Sequence, residues 1–181
     1  DQCRGPALGL YWVRMENPLR RLIICSLLVC LADPSAGLAR NRKPPETVTE
    51  GRVASVVDGD TVRLENGSQI RLTGIQAPKL PLGRRGFKAW PFSAKSKTAL
   101  ERLTLNRRIL LRYDGRKIDR HGRLLAHIFV EPDRWIQGAL ISLGMARVYS
   151  FHDNRTRTAD LLALEIKARA ARLGIWKHPF Y

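Results

Sequence analysis

The sequence contains few cysteines, and none of them lies in the part that we expect to fold. Among 181 residues there are only three, Cys3, Cys25 and Cys30, and all of them fall within a predicted leader that ends at residue 39. Without that leader the chain has no thiol, which excludes a disulfide framework and a thiolate metal site. Any metal would have to be held by oxygen or imidazole ligands.

The chain also lacks a hydrophobic run long enough to span a bilayer. Its most apolar stretch covers residues 22–32, whereas a spanning helix needs about 20 apolar residues. This stretch follows Met15 and a basic pair and precedes small residues up to Ala39, which is the layout of a secretory signal peptide. We expect translation to start at Met15, cleavage after Ala39, and export to the periplasm or the medium. A lipoprotein signal at Cys30 is the alternative.

Acidic residues are scarce relative to basic ones. The chain has 32 Lys and Arg against 16 Asp and Glu, a formal net charge of +16. This excess favours a polyanion as the partner, with DNA or RNA as the leading candidate. The alternative is that the charge only keeps a small exported protein in solution.

The length of the chain favours one domain with one site, and we expect a monomer. We assign residues 1–39 to the upstream segment and signal peptide and residues 40–50, with two prolines, to a linker. The folded domain is expected over 51–177, followed by a short tail at 178–181.

Short β-branched runs separated by Asp-Gly and Asn-Gly turns predict β-hairpins at the start of this domain. Residues 79–91, rich in proline and glycine, predict a long surface loop. The predicted strands lie at 53–57, 62–64, 70–72, 108–113 and 123–130.

Three helices are predicted between and after these strands. The first runs over 93–106 with Ser93 as its N-cap, the second over 135–143 with Gly144 as a left-handed cap, and the third over 158–173. The apolar face of the third helix is predicted to carry Leu161, Leu164, Ala168 and Ala171. Five strands with helices after the third and the fifth predict an α+β fold that is mainly β, a five-stranded OB-fold barrel with about three packed helices.

Asp58-Gly59-Asp60 places two carboxylates at a strand turn, and hard oxygen ligands in this arrangement suit Ca²⁺ or Mg²⁺. The same tripeptide is also an ordinary turn. Arg71 and Arg123 each occur in an otherwise apolar strand context. Two guanidinium groups of this kind can grip a phosphodiester, or they can simply face solvent.

Three motifs taken together resemble the thermonuclease (staphylococcal nuclease-like) family. They are Val-Val-Asp-Gly-Asp-Thr-Val-Arg-Leu at 56–64, Ile-Arg-Leu-Thr-Gly-Ile-Gln-Ala-Pro-Lys at 70–79, and Asp-Arg-His-Gly-Arg-Leu-Leu-Ala at 119–126. The resemblance extends over about residues 51–177. It implies a nuclease-type OB barrel that acts on nucleic acid with Ca²⁺.

The resemblance also implies roles for single residues. Asp60 matches a direct Ca²⁺ ligand and Asp58 an acid beside it, while Arg71 and Arg123 match the arginines that bind the reacting phosphate. The remaining matches concern substrate binding: Asp119 fits an aspartate near the active-site arginine, His121 replaces a tyrosine that packs beside the nucleotide, and Tyr149 and Phe151 fall where two tyrosines contact substrate. An aromatic side chain at such a position can stack on a base or belong to the rim packing.

The sequence departs from the family at Gln76 and Lys79, where active members carry an aspartate and a glutamate. Gln76 still offers a carbonyl oxygen to Ca²⁺, but the loss of a charge predicts a weak site. The Lys79 ammonium cannot take a proton from water and repels a dication. Two compensations are open: Lys79 takes the place of the metal as a third cation on the phosphate, or another acid such as Asp119 serves as the base.

Three functions follow from this pattern. The first is a nuclease-family phosphodiesterase with an altered metal requirement. The second is a non-catalytic OB-fold module that binds nucleic acid or another polyanion, with an affinity that falls steeply with salt. The third is a structural or partner-binding protein of the cell envelope.

Overall fold

The computed structural model describes residues 49–130 and 133–181. The predicted leader and nearly all of the predicted linker lie outside the described residues. Within the described ranges, no helix has the length and apolar character needed to cross a membrane.

Eight strands are present in the described chain, of which five are long enough to build a barrel. The three others are two-residue strands that sequence patterns did not indicate. In chain order the strands are β1 (Glu50–Asp58), β2 (Thr61–Leu64), β3 (Gln69–Leu72), β4 (Ile75–Gln76), β5 (Arg108–Arg112), β6 (Leu124–Val130), β7 (Arg134–Trp135) and β8 (Arg147–Val148).

The five longer strands close into a barrel. β1, β2 and β3 form an antiparallel meander, and β1 also pairs antiparallel with β5, which in turn pairs with β6. The barrel closes through a parallel pairing of β3 with β6, with Ile70 opposite Leu124. A meander whose third strand pairs in parallel with the last strand is the OB topology, so the predicted fold is confirmed.

The alternation of side chains explains which face of each strand is buried. In β3 the apolar Ile70 and Leu72 are buried while Gln69 and Arg71 are only partly covered. β6 is buried along nearly its whole length, and the helix at Ile136–Ser142 packs against it. The largest fully buried side chains of the core are Leu64, Ile70, Leu72, Ile75, Leu100, Ile109, Ile128, Ile136, Leu140, Ile141, Leu161 and Ile175.

Three α-helices pack on the barrel: α1 (Ser93–Thr104), α2 (Ile136–Ser142) and α3 (Thr158–Ala170), followed by a 3₁₀ turn at Gly174–Lys177. The prediction that Ser93 caps α1 was wrong. Ser93 is buried as the first helical residue, and Phe92 precedes it in a left-handed conformation with φ 66°. The prediction for α3 holds for Leu161 and Ala168, which are buried, but not for Ala171, which is exposed.

Gly144 ends α2 in the left-handed region with φ 65°, as predicted. It also contacts the chain that follows α3: a Cβ at position 144 would lie 2.2 Å from the carbonyl oxygen of Leu173. Ile175 donates its N–H to the Gly144 carbonyl at 2.8 Å. The absence of a side chain therefore allows the ends of α2 and α3 to meet.

His127 in β6 is buried and accepts a hydrogen bond on Nδ1 from Trp135 Nε1 at 3.3 Å. Burial lowers the pKa of His127 to about 4, with a smaller opposing effect of Asp114 and a further lowering by Arg157. The folded protein therefore keeps this imidazole neutral over a pH range in which the unfolded chain would protonate it.

This difference predicts a loss of stability on acidification. As the pH falls from about 6.5 towards 4, the unfolded state takes up a proton that the folded state refuses, so at pH 5 the protein should have lost about 2 kcal/mol of unfolding free energy through His127. His127→Asn keeps an acceptor but does not titrate. Urea unfolding at pH 7 and pH 5 should show a smaller loss for the variant, and equal losses would contradict this account.

Candidate functional site

An open cleft of about 590 Å³ lies beside β3 and β4. Segments 71–79, 116–125 and 149–154 form its walls, so three parts of the chain far apart in sequence meet there. Eight residues singled out from the sequence line it: Arg71, Gln76, Lys79, Asp119, His121, Arg123, Tyr149 and Phe151. Asp60 and Asp58 do not line the cleft. They are buried at the turn between β1 and β2.

The turn at Asp58-Gly59-Asp60 is tightly packed. The Asp60 N–H donates to Asp58 Oδ1 at 3.0 Å. Gly59 does not adopt a positive φ, but a Cβ there would lie 2.6 Å from the Ala77 Cβ and 2.7 Å from the Ser96 Cβ. Glycine is therefore required for close packing of the turn against its neighbours, and this packing places the Asp60 carboxylate under the cleft.

The Asp60 carboxylate is surrounded by donors. Its Oδ2 accepts from the Ala77 N–H at 2.8 Å and from Lys79 Nζ at 3.0 Å, and it lies 3.4 Å from Arg71 Nη2. Burial by itself would raise the pKa of Asp60, but the charges of Arg71 and Lys79 outweigh it and hold the pKa below its usual value. Asp60 is therefore a charged anchor for two cations.

Asp58 has the opposite character. Burial raises its pKa, and the neighbouring Asp60 charge raises it further. Of the two carboxyl groups, Asp60 holds the charge, because the two cations are bound to it, whereas Asp58 accepts the Asp60 N–H.

Arg71 is fixed by backbone carbonyls. Its Nη1 donates to the Leu72 carbonyl at 2.8 Å, and its Nη2 donates to the Ile75 carbonyl at 2.8 Å. With both terminal nitrogens engaged, the guanidinium contributes mainly its positive charge to the cleft. Arg71 is therefore a fixed positive charge rather than a guanidinium whose two terminal nitrogens are open to a bidentate ligand.

Arg123 is held by Asp119. Arg123 Nε and Nη2 lie 2.8 and 2.7 Å from Asp119 Oδ2, and Asp119 Oδ1 accepts from the backbone N–H groups of His121 and Arg123. Burial would raise the pKa of Asp119, but these hydrogen bonds lower it. A carboxylate with a lowered pKa that is already bonded to an arginine is poorly suited to act as a general base.

Gln76 does not point its carbonyl at Asp60 but binds an arginine that the sequence did not suggest. Arg147 donates to Gln76 Oε1 from Nε at 3.1 Å and from Nη2 at 2.6 Å. The two residues face each other across the β4–β8 pair. The positively charged guanidinium of Arg147 is thus bound to a neutral amide next to the cleft.

These contacts do not fit a calcium ion at Asp60. Asp60 Oδ2 is occupied by an ammonium group, and the Gln76 carbonyl by a guanidinium. In the part of the chain that the structure describes, no three His, Cys, Asp or Glu side chains converge in a way that could hold a metal. A calcium site normally takes six to eight oxygen ligands, several of them charged.

Two aromatic side chains stand at the rim of the cleft. Tyr149 is 41% exposed and Phe151 is 60% exposed, and their rings meet edge to face at 5.1 Å. Such exposure of a paired aromatic surface beside a cationic cleft is suited to stacking of a planar ligand.

Several lining residues were missed from the sequence. Arg120 lies within the motif at 119–126. The sequence alone does not distinguish a single basic or polar loop residue that belongs to a site from one that only faces solvent. The additional lining residues include Arg116, Arg120, His152, Asp153 and Asn154.

The closed barrel, with a cleft that several basic side chains line, defines an OB-fold protein. The family model described as Staphylococcal nuclease homologue matches residues 69–178. The chain belongs to this family.

Three relatives illustrate the range of the family. Protein ParB of Escherichia coli is 31% identical over 140 residues, which cover 71% of this chain and 73% of that protein. Endonuclease YncB of Bacillus subtilis is 27% identical over 148 residues, covering 79% and 67%. The thermonuclease of Staphylococcus intermedius is 25% identical over 128 residues, covering 69% and 74%.

Restoring the two acids should create a calcium site. In the double variant Gln76→Asp with Lys79→Glu, two carboxylates would replace an amide and an ammonium beside Asp60, and Ca²⁺ should bind at least about tenfold more tightly than to the unaltered protein. Isothermal titration calorimetry measures this difference. Lys79→Gln, which removes the ammonium without adding a carboxylate, is the control. If the double variant binds Ca²⁺ no more tightly than this control, the interpretation that the missing acids weaken the calcium site is wrong.

Proposed function

We propose that this domain binds nucleic acid by holding a backbone phosphate in the cleft, with the Lys79 ammonium in the place of a metal ion. The observation that carries this proposal is the Lys79 Nζ to Asp60 Oδ2 contact at 3.0 Å. This contact holds the Lys79 ammonium against the buried carboxylate of Asp60.

The charges around the cleft support an anionic ligand. Arg71 and Lys79 share the single carboxylate of Asp60, and Arg147 is bound to a neutral amide. The charge of Arg123 is balanced by Asp119, so the net positive charge lies on the side of the cleft next to Asp60. Two unit charges 4 Å apart interact by about 4 kcal/mol at the effective dielectric constant of a protein surface, so this excess is large enough to select a phosphate.

Lys79 also has the hydrogen-bonding capacity for this role. An ammonium group has three donors, and one of them is used on Asp60. Its side chain is 23% exposed, and the residue lines the cleft. Among residues 49–130 and 133–181, Lys79 Nζ has no further hydrogen-bond partner and Arg123 Nη1 has none, so these donors can serve two phosphate oxygens.

The exposed pair Tyr149 and Phe151 supports a ligand with bases rather than a simple polyanion. Stacking of one base on an aromatic side chain is worth about 1 to 3 kcal/mol and does not depend on sequence. We therefore propose a single-stranded DNA or RNA, with the phosphate on the cations and a base on the aromatic pair.

Hydrolysis of the same phosphodiester is the second candidate. It is favoured by the names of the relatives, which include an endonuclease and a thermonuclease, and by the presence of Asp60, Arg71 and Arg123. Asp60 and Asp119 are bonded to cations, so the base in such a reaction would be sought among the cleft histidines His121 and His152.

Binding is tested with a fluorescein-labelled single strand of twelve nucleotides in the presence of a chelator. The dissociation constant from fluorescence anisotropy should be the same with chelator and with Ca²⁺. Lys79→Gln and Arg123→Ala should each weaken binding about tenfold or more, since each removes a charge-assisted hydrogen bond.

Lys167→Gln, an exposed change on α3 away from the cleft, is the matched control and should bind normally. If the cleft variants bind as tightly as this control, the proposal is wrong. Gel analysis of the same mixtures distinguishes binding from hydrolysis. Hydrolysis is favoured if the protein produces shorter oligonucleotides and the His121→Ala, His152→Ala double variant does not.

A further inference from the structure

The loop between β4 and α1 is strongly basic and leaves directly from the cleft. Residues 77–100 contain no acidic side chain, and Arg84, Arg85 and Lys88 lie in the loop itself. Lys79, at the start of the loop, lines the cleft. The Trp90 N–H donates to the Lys79 carbonyl at 2.9 Å and so closes the loop at its base.

The tip of the loop is ordered by one of its own arginines. Arg84 Nε donates to the Pro81 carbonyl at 3.0 Å and Nη2 to the Leu80 carbonyl at 2.6 Å. The same guanidinium lies 3.7 Å from the centre of the Phe87 ring. Arg84 is therefore used internally, and it gives the loop a defined shape despite its two glycines.

The C-terminal end of the loop, at Trp90 and Pro91, is held by Phe180 and Tyr181. The Tyr181 hydroxyl donates to the Pro91 carbonyl at 2.8 Å, and the Phe180 and Trp90 rings lie 5.5 Å apart. Burial raises the pKa of Tyr181 to about 12, with a small opposing effect of Arg147, so this hydroxyl remains a donor at neutral pH. Both ends of the loop are thus fixed next to the cleft.

Arg85 and Lys88 are the other two basic residues of the segment between Lys79 and α1. Both are exposed, and neither forms an ion pair with any residue that the structure describes. Charges on a preorganised loop lose less conformational entropy on binding than charges on a flexible one.

We infer that this loop is a second phosphate-binding element, in which Arg85 and Lys88 contact backbone phosphates that flank the phosphate held in the cleft. The ligand is then a single strand several nucleotides long. This inference rests on the proposed function. The competing interpretation is that the two side chains only contribute to general surface charge.

The experiment compares oligothymidylates of three and twelve nucleotides over a range of KCl concentrations. In the Arg85→Ala, Lys88→Ala double variant, loss of two phosphate contacts should reduce the slope of log K against log salt by about 1.4 and weaken binding of the longer strand about tenfold at low salt. Binding of the trinucleotide should be nearly unchanged.

Arg102→Ala with Lys167→Ala is the matched control, because it removes the same charge from exposed helical positions on α1 and α3. The inference is overturned if the loop variant and this control behave alike, or if the loop variant loses the short and the long strand equally. Thermal unfolding of each variant checks that the fold is intact. Absence of binding by the unaltered protein would instead refute the proposed function and this inference with it.

Discussion

A buried carboxylate compensated by two cations organises this end of the barrel. Asp60 is fully buried, and its Oδ2 receives the Ala77 N–H and the Lys79 ammonium, with the Arg71 guanidinium 3.4 Å away. The contacts tie the β1–β2 turn to the segment that follows β4. Leaving such a charge without its partners costs about 3 to 5 kcal/mol, so the arrangement of the cleft depends on this cluster remaining complete.

The same cluster explains how a nuclease-type scaffold can acquire a different preference. Lys79 and Gln76 stand where the family resemblance implies acids, and the structure gives each of them a partner: Asp60 for Lys79 and Arg147 for Gln76. An ammonium and a guanidinium beside these groups disfavour a dication there, which is the basis of the function that we propose. Arg71 and Arg123 still line the cleft, and for that reason membership of the family and the chemistry of the site have to be judged separately.

The barrel and most of its helices could be predicted because they follow from local patterns. Asp-Gly and Asn-Gly turns, β-branched runs in residues 53–72 and a glycine at 144 each specify backbone geometry within a few residues. The site was only partly predictable. Arg147 binds Gln76 from 71 positions away, and both terminal nitrogens of Arg71 bind carbonyls, which depends on the turn after β3. Gly59 allows close contact with Ala77 and Ser96, which no local pattern reveals.

The most direct measurement of the central claim is a crystal structure of the protein with a short single-stranded oligonucleotide, grown in the presence of Ca²⁺. The account predicts a backbone phosphate within hydrogen-bonding distance of Lys79 Nζ, with the Lys79–Asp60 ion pair intact and no metal between them. A calcium ion bound to Asp60 with Lys79 displaced, or an oligonucleotide bound away from the cleft, would contradict it.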